Sequence, residues 1–286
     1  METRVSSTTK EVIIGPDQPT VLIGERINPT GKQKLAEALK AGNLEVVRNE
    51  ALAQAQAGAD IIDVNVSTFG VDEVTLLPRA VQAVLDVVDI PLCLDCANPG
   101  ALEAALKVYK GKPLINSVTG EERSLARILP LVKEYGAAVI GLLQDDEGVP
   151  KDAERRVAIA RKIVERAEAA GIPRQDIIID CLALAIGADT KSGLVTLETI
   201  RRVKAELGVN TVLGASNISF GLPDRDSLNS AFVAIAIAAG VTCLVVDVAK
   251  VRPFVLAADL VLAKDDYARR YIKAFRQSQK PKEARE

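Results

Sequence analysis

Eight short apolar runs alternate with longer amphipathic segments along the chain, and no other feature constrains the fold as much. The runs, each long enough for one buried strand, occupy residues 21–24, 61–66, 91–95, 113–117, 138–143, 176–180, 211–215 and 243–247. Apolar residues recur at helical spacing between them, for example over 34–57, 71–88, 101–109, 124–135, 153–170, 194–207 and 226–239. Eight such units predict an α/β fold, a (β/α)8 TIM barrel, and the rival prediction is an open doubly wound sheet.

The helix ends and the length of the chain favour one closed domain. Glycines stand just past the ends of five predicted helices, where a left-handed cap requires them: Gly58, Gly136, Gly171, Gly208 and Gly240. With 286 residues, 48% of them hydrophobic, the chain can bury one large core. We therefore expect a single domain over residues 1–286. Residues 1–20 form an N-terminal extension that covers the barrel bottom, and residues 264–286 form a C-terminal helix and charged tail.

Composition excludes several classes of function. A formal net charge of -2 and an aromatic content of 3% argue against a nucleic-acid binder, which needs a basic face or stacking side chains. No apolar run reaches the roughly 18 residues of a membrane span, and the polar start does not match a secretory signal. We therefore predict no membrane partner and a cytoplasmic location. The chain has no histidine, which removes histidine-based triads, zinc sites and proton shuttles.

Polar side chains cluster where the predicted strands end, which in barrel enzymes is where the chemistry occurs. These positions carry acids and amides rather than cations: Glu25, Asn28, Asp63, Asn65, Asp95, Asn98, Asn116, Ser117, Gln144, Asp145, Asp146, Asp180, Asn217 and Asp247. A carboxylate accepts two adjacent N–H bonds, and an amide both donates and accepts. This rim therefore suits an N–H-rich ring such as a pterin better than a phosphate.

Acids and amides also occur at strand ends because they form turns and cap helices. For each of these residues taken alone, such a structural role is an alternative to ligand binding. Asn98, which precedes Pro99, is predicted to be a helix N-cap. Asp63 and Asn65 face the same side of their strand. Because burying both without a partner would be costly, this pair favours the functional interpretation.

Six segments in order over about residues 20–262 together resemble one family: IGERINPTGK, AGADIIDVNVS, LCLDCANPGALEAALK, LINSVTGE, IIIDCLAL and LGASNISFGLP. They are similar to the pterin-binding methyltransferases, which act on methyltetrahydrofolate and a corrinoid protein and include the folate module of cobalamin-dependent methionine synthase. The resemblance implies a homodimeric (β/α)8 barrel that transfers a methyl group between 5-methyltetrahydrofolate, which becomes tetrahydrofolate, and the cobalt of cobalamin. Because the usual cobalamin-binding motif requires histidine, the corrinoid is expected to arrive on a partner protein.

The resemblance also implies roles for particular residues. Asp95, Asn116 and Asp180 hold the pterin, and Asn217 hydrogen-bonds the methyl-bearing nitrogen; Asn217 and Asp180 are the expected catalytic residues. Further pocket residues implied by the resemblance are Asp63, Asn65, Gly214, Ser216 and Arg225. An amide can donate to the nitrogen and accept from it once it is protonated, so this chemistry does not need a histidine.

Three alternatives stay open on the sequence. A dihydropteroate synthase-like enzyme would place a Lys or Arg pair after the seventh strand and a late Arg-His pair, whereas that strand here continues as GASNISFG. A non-catalytic folate-binding module would bind the same substrate without turnover. A zinc-dependent methyltransferase would use Cys93 and Cys96. Since residues three apart on a strand face opposite sides and zinc needs three or four ligands, no bound metal is predicted.

Overall fold

A computed structural model describes residues 1–279; residues 280–286 of the predicted tail lie outside the described part. The strands are β1 (Thr3–Ser6), β2 (Glu11–Ile14), β3 (Val21–Ile27), β4 (Ile61–Val64), β5 (Leu92–Asp95), β6 (Leu114–Thr119), β7 (Ala138–Leu142), β8 (Ile177–Asp180), β9 (Asn210–Gly214) and β10 (Cys243–Val246). The helices are α1 (Gln33–Lys40), α2 (Glu45–Ala57), α3 (Glu73–Leu85), α4 (Pro99–Val108), α5 (Glu122–Glu134), α6 (Ala153–Ala169), α7 (Ser192–Arg202), α8 (Arg225–Ala239), α9 (Val248–Val261) and α10 (Arg269–Ser278). No helix within residues 1–279 is long and apolar enough to cross a membrane.

Strands β3 to β10 form a closed barrel in which each strand pairs in parallel with the next along the chain. Closure is completed by β10, which pairs with both β3 and β9. The barrel prediction is therefore confirmed, and the open-sheet alternative is wrong. Because all eight strands are parallel, their carboxyl ends meet at one rim.

The helical layer departs from the prediction in its first segment, and the segment predicted as a helix over 194–207 ends in a π-helical turn over Val203–Leu207. Residues 34–57, expected to form one helix, form α1 and α2 with a turn between them. Gly42 in this turn has a φ of 67°, and the Asn43 side chain accepts a hydrogen bond from the Glu45 N–H at 3.1 Å at the start of α2. Apolar spacing continues across the turn, so periodicity alone does not reveal the break. The five glycines predicted to end helices all have a positive φ.

The N-terminal residues form a β-hairpin that fills the end of the barrel opposite the polar rim. Val5 of β1 and Ile14 of β2 are fully buried among the inward-facing residues of the barrel strands. Each stabilises the fold by roughly 1.5–3 kcal/mol on leaving water. The buried Asn210 amide ties the hairpin to β9 by donating to the Thr3 hydroxyl and to the Ile14 carbonyl oxygen, both at 3.0 Å. Access to the barrel is therefore from the rim.

Two apolar layers lie on either side of the barrel strands, one inside the barrel and one between the strands and the helices. Cys93 belongs to the inner layer, whereas Cys96, just past β5, belongs to the outer one. The two cysteines thus face opposite sides, as expected for residues three apart. Within residues 1–279 no three His, Cys, Asp or Glu side chains form a group that could hold a metal ion.

Candidate functional site

Four polar side chains at the ends of β4, β5 and β6 form hydrogen-bonded pairs at the rim. The Asn65 amide donates to Asp95 Oδ2 at 2.8 Å, and the Asn116 amide donates to Asp63 Oδ1 at 3.3 Å. Asp95 and Asn116 are also direct register partners on neighbouring strands. Each amide holds a carboxylate on another strand, so both acids are oriented before any ligand binds.

The two carboxylates differ in burial. Asp63 is 2% exposed, and burial together with the nearby Asp95 charge raises its pKa well above the ordinary value. Asp95 is partly buried; burial raises its pKa as well, and the Asn65 hydrogen bond opposes that rise. Within residues 1–279, Asp95 Oδ1 accepts no hydrogen bond. Asp95 can therefore accept a hydrogen bond from a ligand, whereas the more deeply buried Asp63 orients the Asn116 side chain.

Asp180 ends β8, on the opposite side of the barrel from β4. Its Oδ1 accepts a hydrogen bond from the Leu182 N–H at 2.8 Å, and Leu182 has a left-handed φ of 57°. Burial raises the pKa of Asp180 to about 6, while the Leu182 hydrogen bond and the Arg156 charge act against that rise. At neutral pH the carboxylate is therefore ionised and can accept N–H groups of a ligand.

Small residues leave the end of β9 open around Asn217. A 3₁₀ turn over Ala215–Ser219 follows Gly214, and Asn217 is exposed on this turn. A Cβ on Gly214 would lie 3.3 Å from Asn217 Nδ2, so a larger residue would press on this amide. The Ser216 hydroxyl donates to Glu25 Oε1 at 3.1 Å and joins the turn to β3. The Asn217 amide thus stands at the rim, accessible from outside.

Arg225, at the start of α8, braces the same turn. Its guanidinium donates to the Ser216 carbonyl oxygen at 2.8 Å and to the Ser219 hydroxyl at 3.0 Å. It also lies 5.9 Å from the centre of the Phe220 ring, within cation–π range. Arg225 therefore supports the segment that carries Asn217, and its predicted contact with folate stays a prediction.

A cavity of about 350 Å³ opens beside Asp95 and Asn116. Its wall continues past the end of β6 to Arg123 and Arg127 on α5. Asp180 and Asn217 do not line it. The predicted residues thus lie at one rim, where Asn65 is hydrogen-bonded to Asp95 and Asn116 to Asp63. The other five lie apart from these pairs, at the ends of β8 and β9 and at the start of α8: Asp180, Gly214, Ser216, Asn217 and Arg225.

Two groups at the site lie outside the predicted set. Glu25 on β3 accepts from Ser216, and burial raises the pKa of its carboxyl. The sequence did indicate a rim position for Glu25, because it is one of the polar residues that follow the first apolar run. Arg156 on α6 carried no such signal, since only the fold brings its guanidinium to the residues after β8.

The structure is thus a closed (β/α)8 barrel whose carboxyl rim carries partly buried acids and amides together with an exposed Asn217. Residues 24–247 match the family described as pterin binding enzyme. The chain is 32% identical over 267 residues to the methylcorrinoid:tetrahydrofolate methyltransferase of Eubacterium limosum, covering 90% of this chain and 96% of that one. The chain therefore belongs to the pterin-binding enzyme family, and the resemblance drawn from the six segments is confirmed.

Other relatives agree with this assignment. The methionine synthase of Mycobacterium tuberculosis is 32% identical over 265 residues, which are 88% of this chain but 22% of that longer protein. The solved dihydropteroate synthase (DHPS) of Yersinia pestis with a pterine-sulfa conjugate has a TM-score of 0.69 at 16% identity, covering 91% of this chain and 99% of that one. The Xanthomonas albilineans enzyme in complex with 7,8-dihydropteroate has a TM-score of 0.67 at 22% identity, with the same coverage. At such identities these two structures show a shared fold alone.

Proposed function

We propose that this protein transfers a methyl group between 5-methyltetrahydrofolate and the cobalt of a corrinoid carried by a partner protein. The observation that carries the proposal is the rim, where oriented acids share one barrel mouth with an exposed amide, Asn217, on a turn of small residues. The relative from Eubacterium limosum, similar over nearly the whole of both chains, supports it because its name states the same two methyl carriers.

The acids and amides match the hydrogen-bonding edge of a pterin, which presents an exocyclic amine beside a ring N–H. We assign that edge to Asp95, Asn116 and Asp180. Asp95 has a free Oδ1, Asp180 is ionised at neutral pH, and Asn116 donates to Asp63 through its nitrogen, which leaves its oxygen to accept. Charge-assisted bonds of this kind are about twice as strong as neutral ones. Through their hydrogen bonds, Asp63 orients Asn116 and Asn65 orients Asp95.

Transfer from folate to cobalt breaks the bond between N5 and the methyl carbon and forms a cobalt–carbon bond. Reduced cobalt supplies both electrons of the new bond, and N5 keeps its electron pair and takes up a proton. A tertiary amine leaves poorly unless N5 is protonated or strongly hydrogen-bonded. We assign that hydrogen bond to Asn217, whose NH2 donates to N5 and whose oxygen accepts once N5 carries a proton. Transfer in the other direction uses the same contacts.

A corrinoid must reach the methyl group through the barrel mouth, so a partner that carries it must cover the rim. Two aromatic side chains stand exposed there, Phe69 on the loop after β4, which is 92% exposed, and Phe220 on the loop after β9, which is 69% exposed. Exposed apolar side chains around an opening are typical of contact surfaces for other proteins. We expect both rings to contact the corrinoid-bearing partner.

Asn217→Ala tests the catalytic assignment. Methyl transfer from methyltetrahydrofolate to reduced cobalamin is followed by the cobalt spectrum, and the rate should fall by ~10²-fold or more, the scale of one lost transition-state donor. Folate affinity, measured by calorimetry, should change little, since Asp95 and Asp180 hold the ring. Asn98→Ala is the matched control: Asn98 caps α4 at the same rim by accepting from the Gly100 N–H at 3.0 Å, and its loss should leave the rate unchanged.

An unchanged rate for Asn217→Ala would reject Asn217 as the catalytic residue. Folate binding by the wild-type protein without transfer to any reduced corrinoid would instead support a non-catalytic folate-binding module. Binding of a pterin pyrophosphate in preference to methyltetrahydrofolate would support a dihydropteroate synthase-like enzyme.

A further inference from the structure

Arg156 on α6 is fully buried, which is rare for an arginine, and none of its hydrogen bonds goes to a carboxylate. Its guanidinium donates to three backbone carbonyl oxygens, those of Pro150 at 3.1 Å, Cys181 at 3.0 Å and Leu182 at 2.8 Å. Within residues 1–279 it forms no ion pair. A buried charge that forms no direct ion pair is costly, so a compensating contribution is expected.

Two of these carbonyl oxygens belong to the residues that directly follow Asp180. Leu182 has a φ of 57°, a left-handed conformation that a branched side chain seldom adopts. In this conformation its N–H donates to Asp180 Oδ1 at 2.8 Å while its carbonyl oxygen accepts from Arg156. Thr196 on α7 donates to the same carbonyl oxygen at 2.7 Å. Arg156 and Thr196 therefore fix the turn that orients the Asp180 carboxylate.

We propose that Arg156 is a positioning residue for pterin binding: its guanidinium holds the Cys181–Leu182 turn and brings a positive charge to the segment that orients Asp180. An ionised Asp180 accepts the pterin N–H groups, whereas a protonated one would present a donor to a donor. This inference rests on the proposed function, because it gives the buried arginine a role in holding the folate ring.

The charged and titratable groups that face Asp180 come from three elements. Arg156 on α6 is the cation; Cys181 follows in the chain, and Cys243 lies on β10. Burial and the Asp180 charge raise the pKa of Cys181, and burial chiefly raises that of Cys243, so both thiols stay neutral. Burial raises the Asp180 pKa to about 6, and the Leu182 hydrogen bond opposes this rise most; of these three groups, the Arg156 charge is the one that adds to that opposition.

Two substitutions of similar length separate charge from hydrogen bonding. Arg156→Lys keeps the positive charge, and Arg156→Gln removes it while keeping a donor for the carbonyl oxygens. Affinity for 5-methyltetrahydrofolate is measured by calorimetry from pH 5 to pH 8.5. Wild-type affinity should fall as the pH drops through about 6, because binding needs the ionised carboxylate. The fall should begin at a higher pH in Arg156→Gln, by up to about one pH unit, and stay near the wild-type position in Arg156→Lys.

At pH 6.5 this difference makes Arg156→Gln bind up to about threefold more weakly than Arg156→Lys, and the gap closes by pH 8.5. Thr196→Val is the matched control, because it removes a hydrogen bond to the same Leu182 carbonyl oxygen without changing any charge. Its pH dependence should equal that of the wild-type protein. A purely structural role for Arg156 would weaken binding equally at every pH.

Equal pH dependence in Arg156→Lys and Arg156→Gln would overturn the inference while leaving the proposed function intact. A wild-type protein that does not bind methyltetrahydrofolate at any pH would overturn both. Should Arg156→Gln be unstable, the same comparison is made with Arg156→Met, which removes the charge and fills the same space with an apolar side chain.

Discussion

Asp180→Asn should stabilise the unliganded protein at alkaline pH while it weakens folate binding. Burial raises the pKa of Asp180 to about 6 from an ordinary 3.8, so between these values the folded protein holds a proton that the unfolded chain has released. Stability therefore falls as the pH rises through this window and stays lower above it. Asn removes the charge and keeps an oxygen that can accept from the Leu182 N–H.

The magnitude follows from the two pKa values. The Asp180 pKa is about 2 units higher in the folded protein than in the unfolded chain. At 1.36 kcal/mol for each pKa unit, this difference corresponds to about 3 kcal/mol of lost stability at pH 8. At pH 4 the same relation gives less than about 1 kcal/mol, because most of the window lies above that pH. Asp180→Asn should therefore be more stable than the wild-type protein by up to about 3 kcal/mol at pH 8 and by less than about 1 kcal/mol at pH 4.

Urea denaturation of both proteins at the two pH values measures this difference. Every other titrating group is common to both, so its contribution cancels when the two stabilities are subtracted. Calorimetry at pH 8 should show folate affinity about 10- to 150-fold lower, the loss expected for one hydrogen bond to a charged group. The reasoning is refuted if Asp180→Asn is less stable than the wild-type protein at pH 8, or if its gain is the same at both pH values.

Two further substitutions test the turn and the hairpin. Gly214→Ala places a Cβ 3.3 Å from the Asn217 amide. The displaced amide should lower the methyl-transfer rate, measured by single-turnover kinetics, several-fold, while folate affinity stays nearly unchanged. An unchanged rate would show that the amide tolerates the shift. Asn210→Ala removes the buried hydrogen bonds to the Thr3 hydroxyl and the Ile14 carbonyl oxygen and should lower the free energy of unfolding by about 2 kcal/mol or more in urea. Folate affinity should not change, and a loss of affinity would show that the hairpin and the rim are coupled.

The sequence predicted the fold well because periodicity and helix-end glycines are local signals. The strands and most helices follow apolar spacing directly, and Gly240, for example, has the left-handed φ expected of a cap. The break between α1 and α2 was missed because the apolar pattern runs through the turn at Gly42. The closure of the sheet was predicted from the number of units, although no single segment encodes it.

The position of the polar residues at one rim was predicted, but their contacts were not, and their roles in binding stay predictions. Strand ends place acids and amides at one rim by topology alone, so Asp95, Asn116 and Asp180 could be named from the sequence. The hydrogen bond from Asn65 to Asp95 depends on the register of two strands, and the approach of Arg156 to Leu182 depends on helix packing. No pattern along the chain encodes contacts of that kind. The homodimer and the cytoplasmic location stay predictions.

The most direct measurement of the central claim follows the methyl carbon itself. Methyltetrahydrofolate labelled with ¹³C in its methyl group is mixed with the protein and reduced cobalamin without oxygen, and the carbon resonance is recorded. If the protein transfers the methyl group as proposed, the label appears bound to cobalt at a rate that depends on the protein and falls in Asn217→Ala. If the label stays on folate while the protein is folded and folate is bound, the claim of methyl transfer to cobalamin is contradicted.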